Sequence, residues 1–230
     1  MAANRILILA ASGSGKSTSI MNLNPAETFI INVNNKPLPF KHWRSKYKTW
    51  SKENPSGNLF ASKDPALVLQ TMQYVNDKRP EIKNLIIDDL FYIMAEENFQ
   101  KINDTGYGKF TSMGLNFKNL ITKPDNFRDD LFVWYLTHPE VNTDEFGNKV
   151  VKTKTIGKLV DSQLNVEGMF DKVLYARPRK TKEGMQFGFE TKTDGFTPTK
   201  TPMGMFEEDF IPNDLQLVRD AVLEYEGEMV

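Results

Sequence analysis

An abrupt change from apolar to small residues near the start of the chain constrains the fold more than any other feature. Residues 5–23 have the sequence RILILAASGSGKSTSIMNL. Ile6–Leu9 form a short aliphatic run, which is typical of a strand buried on both faces of a parallel sheet. Ala10–Ser17 follow with the spacing of a phosphate-binding loop, with alanine in place of the usual first glycine. A helix at Lys16–Leu23, ending before Asn24-Pro25, completes the predicted junction.

A loop of this kind suits the triphosphate of a nucleotide. Glycines let the backbone wrap closely, so that successive N–H groups point at phosphate oxygens. We expect Lys16 to reach the β and γ phosphates of ATP, and the Ser17 hydroxyl to bind Mg²⁺. The alternative, a plain glycine-serine linker, does not account for the flanking strand and helix. The predicted nucleotide-binding residues are Ser12, Gly13, Ser14, Gly15, Lys16, Ser17 and Thr18.

A second apolar run ends in two acids. The sequence of residues 84–89 is NLIIDD, the form expected of a Walker B strand that supplies a carboxylate to the metal. We expect this strand to lie beside the first one and Asp88 to bind Mg²⁺. Asp89 either polarises the attacking water or caps a helix beginning at Leu90.

A third apolar run, Leu131–Leu136, is followed by Thr137-His138-Pro139. Because ligands bind at the carboxyl ends of parallel strands, a polar pair at this point would face the same crevice as Lys16. His138 or Thr137 is therefore a candidate for sensing the γ-phosphate. The alternative for His138 is a loop residue whose ring binds a carbonyl group.

Strands that alternate with helices predict an α/β fold, with one domain over residues 1–230, a mostly parallel sheet and a small antiparallel C-terminal extension. The last helix is expected to bury Leu215, Val218, Val222 and Tyr225. The other predicted elements are strands at Thr28–Val33, Met169–Ala176 and Met185–Thr191, and helices at Pro65–Lys78, Leu90–Asn103, Phe110–Lys123, Lys158–Glu167 and Asn213–Glu226.

Composition excludes several kinds of site. The chain has no cysteine, which rules out disulfides, thiolate zinc sites and cysteine nucleophiles. No apolar run approaches the roughly 20 residues that cross a bilayer, and no cleavage-site pattern follows the first apolar run. We therefore expect a soluble, cytoplasmic protein with no membrane partner.

Positive charge is clustered although the formal net charge is only −1. One basic cluster lies within residues 36–52, a second within the polar segment 139–155, and a third within 172–182. Lysines interleaved with aromatic rings are typical of a groove for single-stranded nucleic acid. The candidate DNA-binding residues are Lys41, Arg44, Lys48, Lys152 and Lys154. For the second cluster, the alternatives are a flexible loop that couples ATP to DNA contact and a solvated hairpin.

Aromatic residues in the first cluster have helical spacing. Phe40, Trp43, Tyr47 and Trp50 stand at i, i+3, i+7 and i+10, which predicts one face of a helix. Such a face packs against the protein more often than against bases. We expect core packing, with the basic side chains facing outward.

Several segments together resemble a known family: AASGSGKST, NLIIDDL, WYLTHPE, KTIGKLVDSQLNVEGMFDKVLYARPR and FETKTDGFTPTKTPMGMFEEDFIPNDL. The chain resembles the bacteriophage AAA-type, RecA-like P-loop ATPases over nearly its whole length. Among these it is most similar to the Sak-type single-strand annealing proteins.

The resemblance implies a RecA-like core that forms a ring or filament, with ATP and Mg²⁺ near a subunit boundary and single-stranded DNA along an inner face. Lys16 and Ser17 match the nucleotide motif, Asp88 the metal-binding acid and His138 the polar sensor. Lys192 and Lys200 are candidates for residues that reach into a neighbouring subunit. A host or phage single-strand-binding protein is a possible further partner. The chain departs from the family at residues 31–35, INVNN, where a catalytic glutamate is expected; without it, hydrolysis relies on Asp89 or is slow.

Three functions remain open on this basis. The first is a single-stranded-DNA-dependent ATPase in phage recombination or annealing. The second is a small-molecule P-loop kinase, for which Arg177-Pro178-Arg179 is a poor match to the usual arginine-bearing lid. The third is a noncatalytic DNA-binding protein that holds ATP as a structural ligand.

Overall fold

A central sheet organises the part of the chain that the computed structural model describes, residues 2–106, 108–156 and 164–227. Its strands, in chain order, are β1 (Asn4–Ala10), β2 (Thr28–Asn32), β3 (Leu59–Phe60), β4 (Asn84–Asp88), β5 (Phe132–Thr137), β8 (Lys172–Thr181), β9 (Gly184–Glu190) and β10 (Phe210–Pro212). They lie in the order β10-β9-β8-β1-β5-β4-β2-β3. A separate hairpin contains β6 (Pro139–Thr143) and β7 (Lys149–Thr153).

The strand directions confirm the predicted fold class. Every neighbouring pair from β8 across to β3 is parallel, and β9 and β10 add antiparallel strands beyond β8. One expectation is wrong: β4 does not lie beside β1, because β5 pairs with both and separates them. The carboxyl ends of these three parallel strands nevertheless share one edge of the sheet, which brings the residues that follow them together.

Helices cover both faces of the sheet. Within the described residues, the α-helices are α1 (Trp43–Lys46), α2 (Pro65–Lys78), α3 (Phe91–Gln100), α4 (Gly108–Thr122) and α5 (Leu215–Tyr225). On one face, α2, α3 and α4 pack against residues such as Leu7 and Leu85; on the other, α5 packs against residues such as Ile6 and Ile86. The central strands are apolar without interruption because both of their faces are buried.

Most predicted helices have observed counterparts. The helix at Pro65–Lys78 has the predicted bounds, and the Asp64 carboxylate caps it by accepting from the N–H groups of Ala66 and Leu67. In α5, Leu215, Val218 and Val222 are buried as expected. Tyr225 is not, being 49% exposed in the last turn. The helix predicted at Lys158–Glu167 lies largely outside the described residues.

The aromatic stripe does not form one helix. Only Trp43–Lys46 are helical, and Tyr47 is extended. Phe40 and Tyr47 are buried on the α5 face of the sheet, whereas Trp50 packs on the opposite face, edge-on to Phe29 at 6.0 Å between ring centres. The segment must pass around the outer edge of the sheet between these positions, which a continuous helix cannot do. The expected core packing of these rings is nonetheless observed.

The polar segment after β5 forms the hairpin of β6 and β7 rather than an irregular loop. The backbone N–H of Lys154 donates to the carbonyl of His138 at 2.9 Å, which closes the base of the hairpin.

None of the helices in the described residues has the length and apolar character needed to cross a membrane.

Candidate functional site

Two glycines set the conformation of the predicted phosphate-binding loop, Ala10–Ser17, called the phosphate loop below. Gly13 and Gly15 have φ angles of +80° and +88°, which residues with a side chain rarely adopt. Gly15 also lacks space for a side chain, since a Cβ there would lie 2.5 Å from Nδ2 of Asn213. The N–H of Ser14 donates to the carbonyl of Ala11 at 3.2 Å, which closes the loop on itself.

The helix after the loop is shorter than predicted. A 3₁₀ helix spans Ser17–Asn22, and the residue after it, Leu23, is already extended. The hydroxyl of Ser19 donates to the carbonyl of Lys16 at 2.6 Å, a local bond of the kind that competes with the regular helical pattern. Ser17 and Thr18 therefore lie in the first residues of a short helical turn.

Lys16 is buried between Asp88, the last residue of β4, and Asp89, which follows it. Its Nζ donates to Oδ1 of Asp88 at 2.7 Å and also to Oδ1 of Asp89. All three residues are at most 7% exposed. Burial alone would lower the pKa of Lys16, but the charges of Asp88 and Asp89 outweigh it and raise that pKa above its ordinary value. The lysine is therefore held charged, with its ammonium against the carboxylates of Asp88 and Asp89.

Asp89 has several polar partners. Asn34 Nδ2 donates to its Oδ2 at 2.9 Å, and His138 Nε2 lies 3.2 Å from its Oδ1. It adopts a left-handed backbone conformation with φ 71°, and no side-chain hydrogen bond caps α3. The alternative in which Asp89 only caps this helix is therefore not observed.

These partners determine the charge state of Asp89. Burial alone would raise its pKa, but the hydrogen bond with His138, followed by the charge of Lys16, holds the pKa of Asp89 well below its usual range. A general base works best with a pKa near the operating pH. In this arrangement Asp89 is better suited to orient a water molecule than to remove its proton.

His138, rather than Thr137, faces the site. The His138 ring packs edge-on against Tyr92, with 5.5 Å between ring centres, and lies on the cavity described below. Thr137 is fully buried, and its hydroxyl has no hydrogen-bond partner among the described residues. Of the two candidates, His138 lines the cavity and Thr137 does not.

A cavity of about 580 Å³ joins these elements. It is lined by phosphate-loop residues including Ser12, Gly13 and Lys16, and also by Ser17, Thr18, Asp88, Asp89 and His138. A volume of this order is ordinary for a small-molecule site, where about 300–1,000 Å³ is typical. The hydroxyl of Ser17 and the carboxylate of Asp88 are the oxygen ligands that Mg²⁺ prefers. The residues present therefore fit a magnesium-bound nucleotide.

Sequence reasoning missed several residues of this cavity. Lys36, from the loop after β2, reaches Asp89, and Phe187 and Asn213, from the C-terminal part of the chain, lie beside Gly15. Asn213 Nδ2 donates to the carbonyl of Gly15 at 2.7 Å. In the sequence, Lys36 is marked only by its place in the first basic cluster, next to residues 31–35, where the family has its catalytic glutamate. No sequence pattern points to Phe187 or Asn213.

The remaining predicted residues do not line the cavity. Lys41, Arg44, Lys48 and Lys154 are exposed, and Lys152 is half-buried on β7. The Nζ of Lys154 lies 4.7 Å from the centre of the Phe91 ring. Lys192 is paired with Asp209 at 2.8 Å, and Lys200 exchanges two backbone hydrogen bonds with Val173.

Comparison with solved structures finds distant similarities. A KaiC-like protein of Pyrococcus horikoshii OT3 aligns with a TM-score of 0.43 and 11% identity, over 82% of this chain and 77% of that protein. The flagellar accessory protein FlaH of Methanocaldococcus jannaschii aligns with a TM-score of 0.42 and 14% identity, over the same shares. No family model and no curated protein sequence matches the chain. Similarity at this level assigns neither a family nor an activity, so the function has to be inferred from the site.

Proposed function

We propose that the protein is a RecA-like ATPase that binds ATP with Mg²⁺ and hydrolyses it in response to single-stranded DNA. The observation that carries the proposal is the convergence of Lys16, Ser17, Asp88, Asp89 and His138 on one cavity beside a loop with two left-handed glycines. Those residues come from three strand ends that are distant in sequence. Their chemistry is the set that phosphoryl transfer from a nucleotide requires.

Each side chain has a distinct task in this proposal. The loop from Ser12 to Thr18 binds the phosphates through its amides, while Lys16 neutralises them. Mg²⁺, when bound, would neutralise phosphate charge, and Ser17 and Asp88 are the residues that would hold it. Asp89 orients the attacking water, and His138 senses the outermost phosphate. Few proton transfers are needed, because this chemistry depends mainly on positioning and charge.

The hairpin of β6 and β7 supports a link to DNA. It starts one residue after His138, and its base is closed by the bond from Lys154 to His138. Lys152 lies on β7 and Lys154 directly follows it, so both belong to an element that begins at the proposed phosphate sensor. Lys41, Arg44 and Lys48 present further exposed positive charge. Cations arranged in this way can bind the phosphates of a single strand without regard to sequence.

Self-assembly and phage recombination rest on the sequence resemblance. In this proposal the protein acts in recombination or single-strand annealing as a ring or filament, with Lys192 and Lys200 directed toward a neighbouring subunit. Both lysines are exposed and neither lies on the cavity of its own subunit, as that role requires. A single-strand-binding protein is the natural further partner, since it covers the same DNA.

The kinase alternative gains no support from the geometry. Arg177 and Arg179 both pair with the buried carboxylate of Glu190, and Arg179 lies 4.0 Å from the centre of the Phe210 ring. They are not among the residues that line the cavity. Arginines of a kinase lid would have to face the transferred phosphate.

An ATPase assay with and without single-stranded DNA tests the proposal. ATP turnover with Mg²⁺ is expected to rise several-fold when an oligonucleotide is added, because bound DNA would stabilise the hairpin attached to His138. Sizing of the protein with ATP and DNA, run in parallel, reports on assembly. Turnover that ignores DNA but requires a nucleoside acceptor would indicate the kinase, and tight ATP binding without turnover would indicate the noncatalytic DNA-binding protein.

Removing charge from the hairpin is expected to weaken DNA binding. In the double variant Lys152→Ala, Lys154→Ala, the slope of log affinity against log salt should flatten by about 0.7 for each phosphate of a single strand that the variant no longer neutralises. Fluorescence anisotropy with a labelled oligonucleotide across a salt series measures this slope. Lys78→Ala, Lys118→Ala is a matched control, because both lysines are exposed and lie on α2 and α4. An unchanged slope in the hairpin variant would remove the hairpin from the DNA path.

A further inference from the structure

The loop after β2 brings a second lysine to the cavity. The Nζ of Lys36 lies 3.1 Å from Oδ2 of Asp89 and 5.3 Å from the centre of the Tyr92 ring. The side chain of Lys36 is 61% exposed, whereas that of Asp89 is 8% exposed. Lys16 contacts Oδ1 of the same carboxylate. The two lysines thus bind different oxygens of one buried acid, one lysine from the protein interior and one from the open side of the cavity.

The backbone of Lys36 is held in place by a buried side chain. Asn32, at the end of β2, donates from Nδ2 to the carbonyl of Lys36 at 2.6 Å and accepts from the N–H of Lys36 at its Oδ1 at 3.2 Å. The turn between them contains Asn35 in a left-handed conformation, φ 51°. An amide side chain that binds both the N–H and the carbonyl of one residue fixes the backbone of that residue. Less conformational freedom is then lost when the lysine binds a ligand.

Charge balance around the cavity points to a phosphate as the ligand. Lys16 and Lys36 face Asp88 and Asp89, so the group is neutral as it stands. A triphosphate adds several negative charges, and one magnesium ion cancels only part of them. The ammonium of Lys36 is accessible and its backbone is already fixed. Moving it from Asp89 to the added phosphate charge therefore costs little free energy. If Lys36 formed only an exposed ion pair, it would contribute little.

We propose that Lys36 is a second phosphate-binding cation, supplied by the same chain, whose ammonium transfers from Asp89 to the outermost phosphate of the bound nucleotide. This inference rests on the proposed ATP-binding function. After the transfer, Oδ2 of Asp89 still accepts from Asn34 Nδ2 and can accept a further hydrogen bond from water in place of the one from Lys36. The family that this chain resembles has its catalytic glutamate at the position of residues 31–35. In this chain the loop after β2 instead supplies the positive group of Lys36.

Comparing nucleotides that differ by one phosphate tests the proposal without relying on turnover. Calorimetry with Mg²⁺ gives the affinities of ADP and of a non-hydrolysable ATP analogue for the wild type and for Lys36→Gln. Loss of one charge-assisted hydrogen bond should weaken binding of the analogue by about 10-fold or more, while the affinity for ADP changes by less than about twofold, since the bond is made only to the last phosphate. Lys36→Arg should keep most of the preference for the analogue.

Lys78→Gln is the matched control, because Lys78 is exposed at the end of α2 and should leave both affinities unchanged. Lys36 is also mostly exposed, so its variants should keep the wild-type unfolding midpoint. An equal loss for ADP and analogue, or no loss for either, would overturn the role of Lys36 while leaving nucleotide binding intact. Failure of the wild type to bind either nucleotide would instead overturn the proposed function, and this inference with it.

Discussion

Lys16→Ala is expected to abolish ATP hydrolysis and to weaken ATP binding by about 10- to 100-fold, the value of a hydrogen bond to a charged group. The same change leaves Asp88 and Asp89 without the cation that they share. Breaking a buried ion pair by removing one partner costs about 3–5 kcal/mol of stability. Lys36 and His138 still face Asp89, so the lower end of that range is expected. Urea unfolding and calorimetry with ATP measure the two effects separately.

Lys16→Arg separates the two contributions of this lysine. Arginine keeps the positive charge and so should retain most of the stability, but its planar, larger head group does not fit a site built around one ammonium. Hydrolysis should therefore stay at background in Lys16→Arg although the protein is stable. If Lys16→Arg or Lys16→Ala hydrolysed ATP at the wild-type rate, the phosphate loop would not be the nucleotide site.

Asp88→Asn is expected to reduce Mg²⁺-dependent hydrolysis by at least about 100-fold, since even residues that only support a metal ligand are worth about 10- to 100-fold. The substitution preserves shape and removes one charge. Lys16 keeps Asp89 as a partner, so the protein should stay folded and nucleotide binding should largely survive. Titration of the ATPase rate with Mg²⁺, together with ATP binding, measures both quantities.

Asp104→Asn is the control for this change, because Asp104 is exposed and lies outside the cavity. It should leave the magnesium titration as in the wild type. If Asp88→Asn kept the wild-type response to Mg²⁺, another group would have to bind the metal. If the variant unfolded instead, the main task of Asp88 would be to neutralise buried Lys16.

Local patterns were enough to predict the strands that carry the site. Each of the three strands is an apolar run that stops abruptly: at a small-residue loop, at two acids, or at Thr137-His138. A few consecutive residues therefore show both that the strand is buried and which polar residues follow it. The order of the strands was not visible in this way. Each strand fits equally well beside β1, and only the packing of the whole sheet places β5 between β1 and β4.

Contacts between distant segments account for what the sequence did not reveal. The spacing of Phe40 to Trp50 fits a helix, but Tyr47 is buried on one face of the sheet and Trp50 packs against the other, which requires an extended chain. Likewise, Asn213 reaches Gly15 across 198 positions of sequence. No periodicity relates such residues, so only the folded structure shows that they share a site.

The position of β1 in the middle of the sheet has a consequence for biosynthesis. Of the strands in this sheet, β1 comes first along the chain, but its two neighbours are β5 and β8, and the contact on Gly15 comes from Asn213. The ribosome must therefore release the chain as far as Asn213 before the loop acquires its support. Until β5 and β8 have been made, both edges of the aliphatic strand β1 are unpaired, so we expect chaperones to bind the nascent chain.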